Sequence, residues 1–402
     1  MKILSAILLI FALGLPAWAR LSPLASAPDW GELDPFQESL TRADFQTLLD
    51  RVYAPNGAWR DVIVVEDGGA RILRGSGETP YFLKFAGSRE EARRPPVYWK
   101  RRSELPPAPA GKPLSGLRIA IDPGHIGGEW AKIEERWFRV GDSKPVTEGD
   151  MTLHVAKLLV PRLKALGADV TLTRSKPSPV TSARPGGLRK AAVASLRQKE
   201  EAVTAPSVTK ESERLFYRTS EIRRRAQLVN SSIRPDLVLC LHFNAEDWGN
   251  ERQPRLVDAN HLHFLITGAW SAEELTYEDQ RFEMLVKLLN RSFSEELPVT
   301  NTLAGEMARA TRLPPYTYEG GSVVRVGDNP YVWGRNLLAN RLFTCPVVYV
   351  EPYVMNSRSA HARIQAGDYD GLRNFGGTPR KSIYKEYADA VAAGLAQYYS
   401  SR

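Results

Sequence analysis

Apolar positions fall into two alternating patterns along most of this chain. Residues 117–121, 237–241 and 347–350 are near-continuous apolar runs of strand length, as expected of strands buried on both faces. Residues 170–173 and 261–267 predict two further strands. Between them, apolar residues recur at helical spacing. Val155, Ala156, Leu159, Leu163 and Leu166 trace one helix face that Gly167 ends, and residues 222–230 predict another helix. Ser271 and Glu274 form a capping-box pair ahead of a helix carrying Phe282, Leu285, Leu289 and Phe293, and residues 383–399 predict a last helix with Tyr387, Val391 and Leu395 inward. Such alternation predicts an α/β fold over residues 113–402: an open, mostly parallel twisted sheet with helices on both faces.

The pattern changes outside this region. Residues 1–19 hold Lys2, a short apolar run and Ala17-Trp18-Ala19, which reads as a signal peptide cleaved after Ala19. Residues 20–112 predict a small α+β domain and a linker. Thr41 caps a helix with Phe45, Leu48, Leu49 and Val52 on one face, and residues 62–65 and 81–85 predict strands. The Pro-rich, basic stretch 93–113 predicts an extended connector. Residues 176–214 form an insertion with eight Lys/Arg against four Glu and little apolar surface. This predicts a segment without a core of its own, acting as a mobile lid, as an arm for a partner, or simply as a solvated loop.

With 402 residues the chain is long enough to bury a full core. Its formal charge of +8 suits an anionic polymer, and export argues against nucleic acid. Only Cys240 and Cys345 are present, both in or beside apolar strands, so they are expected as free buried thiols, with a bridge between neighbouring strands as the alternative in an oxidising compartment. No segment after the signal is apolar enough to span a membrane.

Three strand ends carry the chemistry. Asp122-Pro123-Gly124-His125, His242-Phe243-Asn244 and Glu351-Pro352 each follow an apolar run, and open α/β sheets gather ligand sites at strand ends along one edge. With Glu148, which opens a helix, His125 and His242 offer two imidazoles and a carboxylate for one Zn²⁺. Glu351 adds a carboxylate for acid/base work. Rival ligands remain. Glu129, Glu134 and Glu135 lie in the 23-residue interval before Glu148, and His261 and His263, at i and i+2, share a strand face. Neither a Gly-x-Ser-x-Gly motif nor a reactive cysteine context is present, which argues against a covalent nucleophile.

These segments, with Thr173-Arg174 and Asn356, follow the order and context found in zinc-dependent N-acetylmuramoyl-L-alanine amidases, and the resemblance runs from about Leu117 to Tyr399. The interval between His125 and Glu148 is longer than usual for that family, and so is the insertion. The resemblance implies His125, Glu148 and His242 as zinc ligands and Glu351 as the catalytic residue. Asn244 and Asn356 are candidates for substrate contact.

The implied activity is hydrolysis of the amide between N-acetylmuramic acid and the L-alanine of the stem peptide in peptidoglycan, in the periplasm or cell envelope. An activator protein docking on residues 176–214 is an expected partner. Two alternatives stand beside it. A zinc exopeptidase acting on cell-wall peptides would use Arg325, Arg335 or Arg341 for a terminal carboxylate, and a non-catalytic peptidoglycan-binding module would keep the fold without turnover.

Overall fold

The structure is a computed structural model and describes residues 20–75, 77–250 and 253–400. The signal-peptide expectation therefore lies outside the described residues. Three short strands open the chain, β1 (Ile63–Val65), β2 (Gly69–Ile72) and β3 (Tyr81–Lys84), joined as an antiparallel sheet. Thr41 caps the helix Arg42–Leu48, its side chain accepting the Asp44 N–H.

This N-terminal region, the small α+β unit expected from sequence, shares its core with the rest of the chain. Phe45, Leu49, Tyr53 and Ile72 pack with Trp270, Phe282, Leu285 and Leu288 in one cluster. One short helix and three short strands bury too little apolar surface alone, and the helix Glu278–Leu289 supplies the rest. The Pro-rich connector is likewise docked. Trp99 is buried against Ala226, Val229 and Phe343, and the Lys100 N–H donates to Asp236.

The main sheet contains β4 (Arg118–Pro123), and a small hairpin of β5 (Trp137–Phe138) and β6 (Val146–Thr147) precedes the helix Glu148–Ala165. It continues with β7 (Asp169–Leu172), β8 (Leu237–Leu241), β9 (Leu262–Thr267), β10 (Val323–Arg325), β11 (Val332–Arg335) and β12 (Val347–Pro352). A last hairpin, β13 (Arg373–Phe375) and β14 (Thr378–Arg380), leads into the helix Ile383–Ser400. The seven-stranded order is β10-β11-β9-β12-β8-β4-β7. Strands β7, β4, β8 and β12 are mutually parallel, while β9 runs antiparallel to β12. The expected open, mostly parallel sheet is therefore present.

Helices cover both faces. Glu148–Ala165, Phe293–Thr311 and Ile383–Ser400 close one face over Ile119, Leu239 and Val350. Ala226, Val229 and Ala339, with Trp99, close the other over Val238, Cys240 and Tyr349. Cys240 and Cys345 are buried free thiols on that second face. No helix among the described residues is long and apolar enough to cross a membrane.

The insertion departs from expectation. It folds into helices Arg189–Gln198 and Ala205–Arg214, which close on a small cluster of Ala192, Leu196, Val208 and Leu215. Each helix alone offers too few apolar positions to signal a core, and only their pairing makes one. Glu211 lies inside this pair and binds Ser195, Lys199 and Arg214. Burial opposes its charge, but these partners prevail and hold its pKa down at about 2.

Candidate active site

The site forms on the sheet face that carries Cys240 and Tyr349. Val350 pairs with Leu241, so the next residues, Glu351 and His242, lie side by side at the sheet edge. Glu351 in turn pairs directly with His263 across the antiparallel β12/β9 ladder. Strand alternation places all three side chains on one face. Gly124 completes the row beside His242. A Cβ there would stand 2.3 Å from the His242 ring, so only glycine leaves room for the imidazole.

His125 turns off the end of β4 with φ of 61°, a left-handed conformation that costs a non-glycine residue about 1–3 kcal/mol. Two buried arginines hold the turn by its carbonyls. Arg225 donates to the oxygens of Pro123 and His125, and Arg174 to those of Pro123, Gly124 and Gly149. Arg225 also pairs with Asp122 and Glu221, which outweigh the effect of burial and keep its pKa raised. Thr173 donates to Asp122. The Asp-Pro-Gly-His and Thr-Arg segments are thus parts of one clamp.

His125, Glu148 and His242 converge as expected. Their ligand atoms all lie within 4.8 Å of one another, the one such group of three metal-ligating residues among the described residues. His125 Nε2 is 3.1 Å from Glu148 Oε2, and His242 Nδ1 is 3.2 Å from Glu148 Oε1. Tetrahedral bonds of ~2.0–2.2 Å separate ligand atoms by ~3.3–3.6 Å, so both imidazole–carboxylate distances are close to those of a zinc site. Without a metal, burial pushes the His125 pKa down but Glu148 and Glu134 more than reverse it, to about 9. Burial also opposes ionisation of Glu148, yet His125 and His242 hold its pKa well below the usual carboxylate range.

Glu134, weighed as a rival ligand, stands behind His125 instead. Its Oε1 is 2.7 Å from His125 Nδ1, and its Oε2 accepts the Ile126 N–H. It fixes the ring and leaves Nε2 facing Glu148. Sequence could not separate the three acidic residues of this loop, because their positions depend on how the β5/β6 hairpin folds over the site.

Glu351 sits beside the trio. Its Oε2 is 3.1 Å from His263 Nε2, which also lies 2.8 Å from the Tyr318 hydroxyl. Burial would raise the Glu351 pKa, but His263 and His242 lower it, so the carboxylate is ionised at neutral pH. His261 does not join the trio either. Its Nε2 is 3.0 Å from Glu246.

Asn244 lines the cleft, its side-chain nitrogen 3.4 Å from His261 Nδ1. Asn356 does not reach the cleft, contrary to expectation. It is fully buried and accepts the Glu246 N–H, so it braces the neighbouring loop. The cleft over the site has a volume of about 890 Å³.

Comparison with known families matches residues 119–371 to the N-acetylmuramoyl-L-alanine amidases. No curated protein matches the chain. Among solved structures, the chain is similar to the amidase Ami1 from Mycobacterium smegmatis, at 16% identity over 72% of this chain and 99% of that one, with a TM-score of 0.39. An N-acetylmuramoyl-L-alanine amidase from Clostridium difficile 630 shows 14% identity over 71% and 97%, with a TM-score of 0.39. The CwlD amidase from Clostridioides difficile, solved in complex with the GerS lipoprotein, shows 14% identity over 71% and 100%, also with a TM-score of 0.39. The family match spans more than half of the chain and both ends of the clustered site, so this chain belongs to the N-acetylmuramoyl-L-alanine amidases, a family of peptidoglycan hydrolases.

Proposed function

We propose that this enzyme is zinc-dependent, with His125, Glu148 and His242 holding the metal and Glu351 moving the proton. The convergence of two imidazoles and a carboxylate beside a second, ionised carboxylate carries this reading. Zinc bound there supplies Lewis acidity to a water molecule and to the scissile carbonyl. Glu351 accepts the proton from the attacking water and returns it to the nitrogen of L-alanine as the amide breaks. His263 holds the Glu351 carboxylate in place from the neighbouring strand, and Glu134 orients His125.

Mass spectrometry of purified sacculi after incubation tests the reaction. Release of stem peptides with a free L-alanine amino terminus is expected. Loss of terminal residues from intact stems would instead establish an exopeptidase, and no release at all a binding module. Export to the cell envelope belongs to the same reading, supported by the composition of residues 1–19. Amino-terminal sequencing of the mature protein is expected to begin at Arg20.

The folded insertion is the surface we assign to an activator or to control of access. Trp130 of the loop after His125 packs on Phe216 at the insertion's exit, and the Arg184 guanidinium covers Trp130. Replacing residues 176–214 with a Gly/Ser linker is expected to raise basal hydrolysis of sacculi. Unchanged rates on sacculi and on small muropeptides would remove this role.

A further inference from the structure

The cleft continues past the metal ligands between the insertion's exit and the strand β11, and its charges are uneven. Most of its arginines are already paired. Arg214 binds Glu211, Arg225 binds Asp122 and Glu221, and Arg341 binds Glu283 at 2.6 Å. Arg218 and Arg335 are different. Both line the cleft, and neither has a carboxylate partner among the described residues.

Arg335 is half-buried, with its guanidinium 5.7 Å from the centre of the Tyr318 ring. Tyr318 touches His263, which touches Glu351, so Arg335 stands two side chains from the proposed proton carrier. Arg218 is exposed on the wall of the cleft, on the helical segment Leu215–Ser220 that continues the helix Ala205–Arg214. The surrounding protein partly desolvates it, which lowers its pKa; Tyr217 opposes this, and Arg214, Arg136 and Arg335 add to it. Carboxylates line the cleft as well, Glu135, Glu246 and Glu351 among them, but among the described residues none is ion-paired with either guanidinium, and two unpaired like charges on the wall of a recess make a site for an anion.

Substrate chemistry decides which anion. In an N-acetylmuramoyl peptide the sugars are neutral and the lactyl carboxyl is tied up in the scissile amide. Negative charge lies only in the peptide, on the free carboxylates of its acidic residues and terminus. We propose that Arg218 and Arg335 form a carboxylate-binding subsite for the stem peptide, which makes this enzyme select stems with free carboxylates over amidated ones. The proposal rests on the amidase reading. It also assigns the insertion a part in specificity, since the paired helices deliver Arg218 to the cleft.

Two synthetic muramoyl peptides test it, identical except for a free carboxylate or a carboxamide on the residue following L-alanine. A charge-assisted bond of this kind favours the acid by at least about tenfold in kcat/KM. The preference is expected chiefly in KM. It is expected to fall towards unity in Arg218→Gln and Arg335→Gln. The readout is the ratio of the two substrates within each protein, which poor folding alone leaves unchanged because both rates drop together. Equal kcat/KM for the two peptides in the unaltered enzyme would overturn the subsite, as would a preference that survives in both variants. Failure to cleave either peptide would instead overturn the amidase reading.

Discussion

Two pairs of histidines lie on the same edge of this sheet, each with carboxylates nearby, and they are built for different work. His125 and His242 leave two different strands and converge on Glu148, with ring centres 4.9 Å apart. His263 lies in β9 and His261 immediately before its first residue, with ring centres 6.3 Å apart, and each has its Nε2 facing a separate carboxylate. Tyr316 lies over both rings, 4.3 and 5.3 Å away. Metal binding needs three donors aimed at a common point. One extended strand sets alternate side chains side by side and roughly parallel, whereas a turn held by Arg174 and Arg225 can aim a ring across at its neighbour.

The largest expected effect breaks the comparison directly. His125→Ala or His242→Ala should remove stoichiometric zinc and abolish hydrolysis, while a double change of His261 and His263 to alanine should leave the zinc in place, as read by elemental analysis of purified protein. Zinc lost from the double variant but retained in His242→Ala would exchange the roles of the two pairs. Treatment with a chelator should reproduce the effect of the first pair, with activity restored on adding zinc.

Next in size, Glu351→Gln should keep zinc and fold but lower kcat by about 10²–10⁴-fold, the contribution of a positioned acid/base. Near-normal turnover would leave Glu351 a structural residue.

The partners behind each pair should then separate binding from rate. Glu134→Gln should weaken zinc affinity by about 10–100-fold, measured by competition with a chelating dye, because it loosens a ligand. His263→Gln should leave zinc affinity alone and lower kcat by a similar factor, with KM little changed. The same response from both variants would mean that the two pairs are not distinct. Smallest of all, Tyr318→Phe should cost no more than a few-fold in rate, since His263 keeps its contact with Glu351.

The trio was legible because each member ends or opens an element with a strong local signature. Apolar runs lead into His125, His242 and Glu351, and Glu148 opens an amphipathic helix. The pairing of Glu351 with His263 left no such trace. It depends on β9 running antiparallel to its neighbour, which brings the start of one strand to the end of another 88 residues away. Nothing in a single strand's pattern carries that direction. The same holds for Glu134, one of three acidic residues in a loop, and for Asn356, whose place after a strand end suggests exposure until the packing buries it.

What the sequence determined by itself was the order of strands and helices and the chemistry at their ends, because periodicity and turn residues act over a few neighbours. Tertiary structure decided whatever required surfaces from distant segments. The N-terminal region completes its core with Phe282 and Leu285, and Trp99 docks the connector. The insertion gains a core only when Leu196 meets Val208. Arg218 and Arg335 face one cleft only after the insertion has folded and β11 has joined the sheet. Hydrophobic burial and charge pairing depend on distance in space, and over more than a hundred residues of chain that distance is fixed by the fold alone.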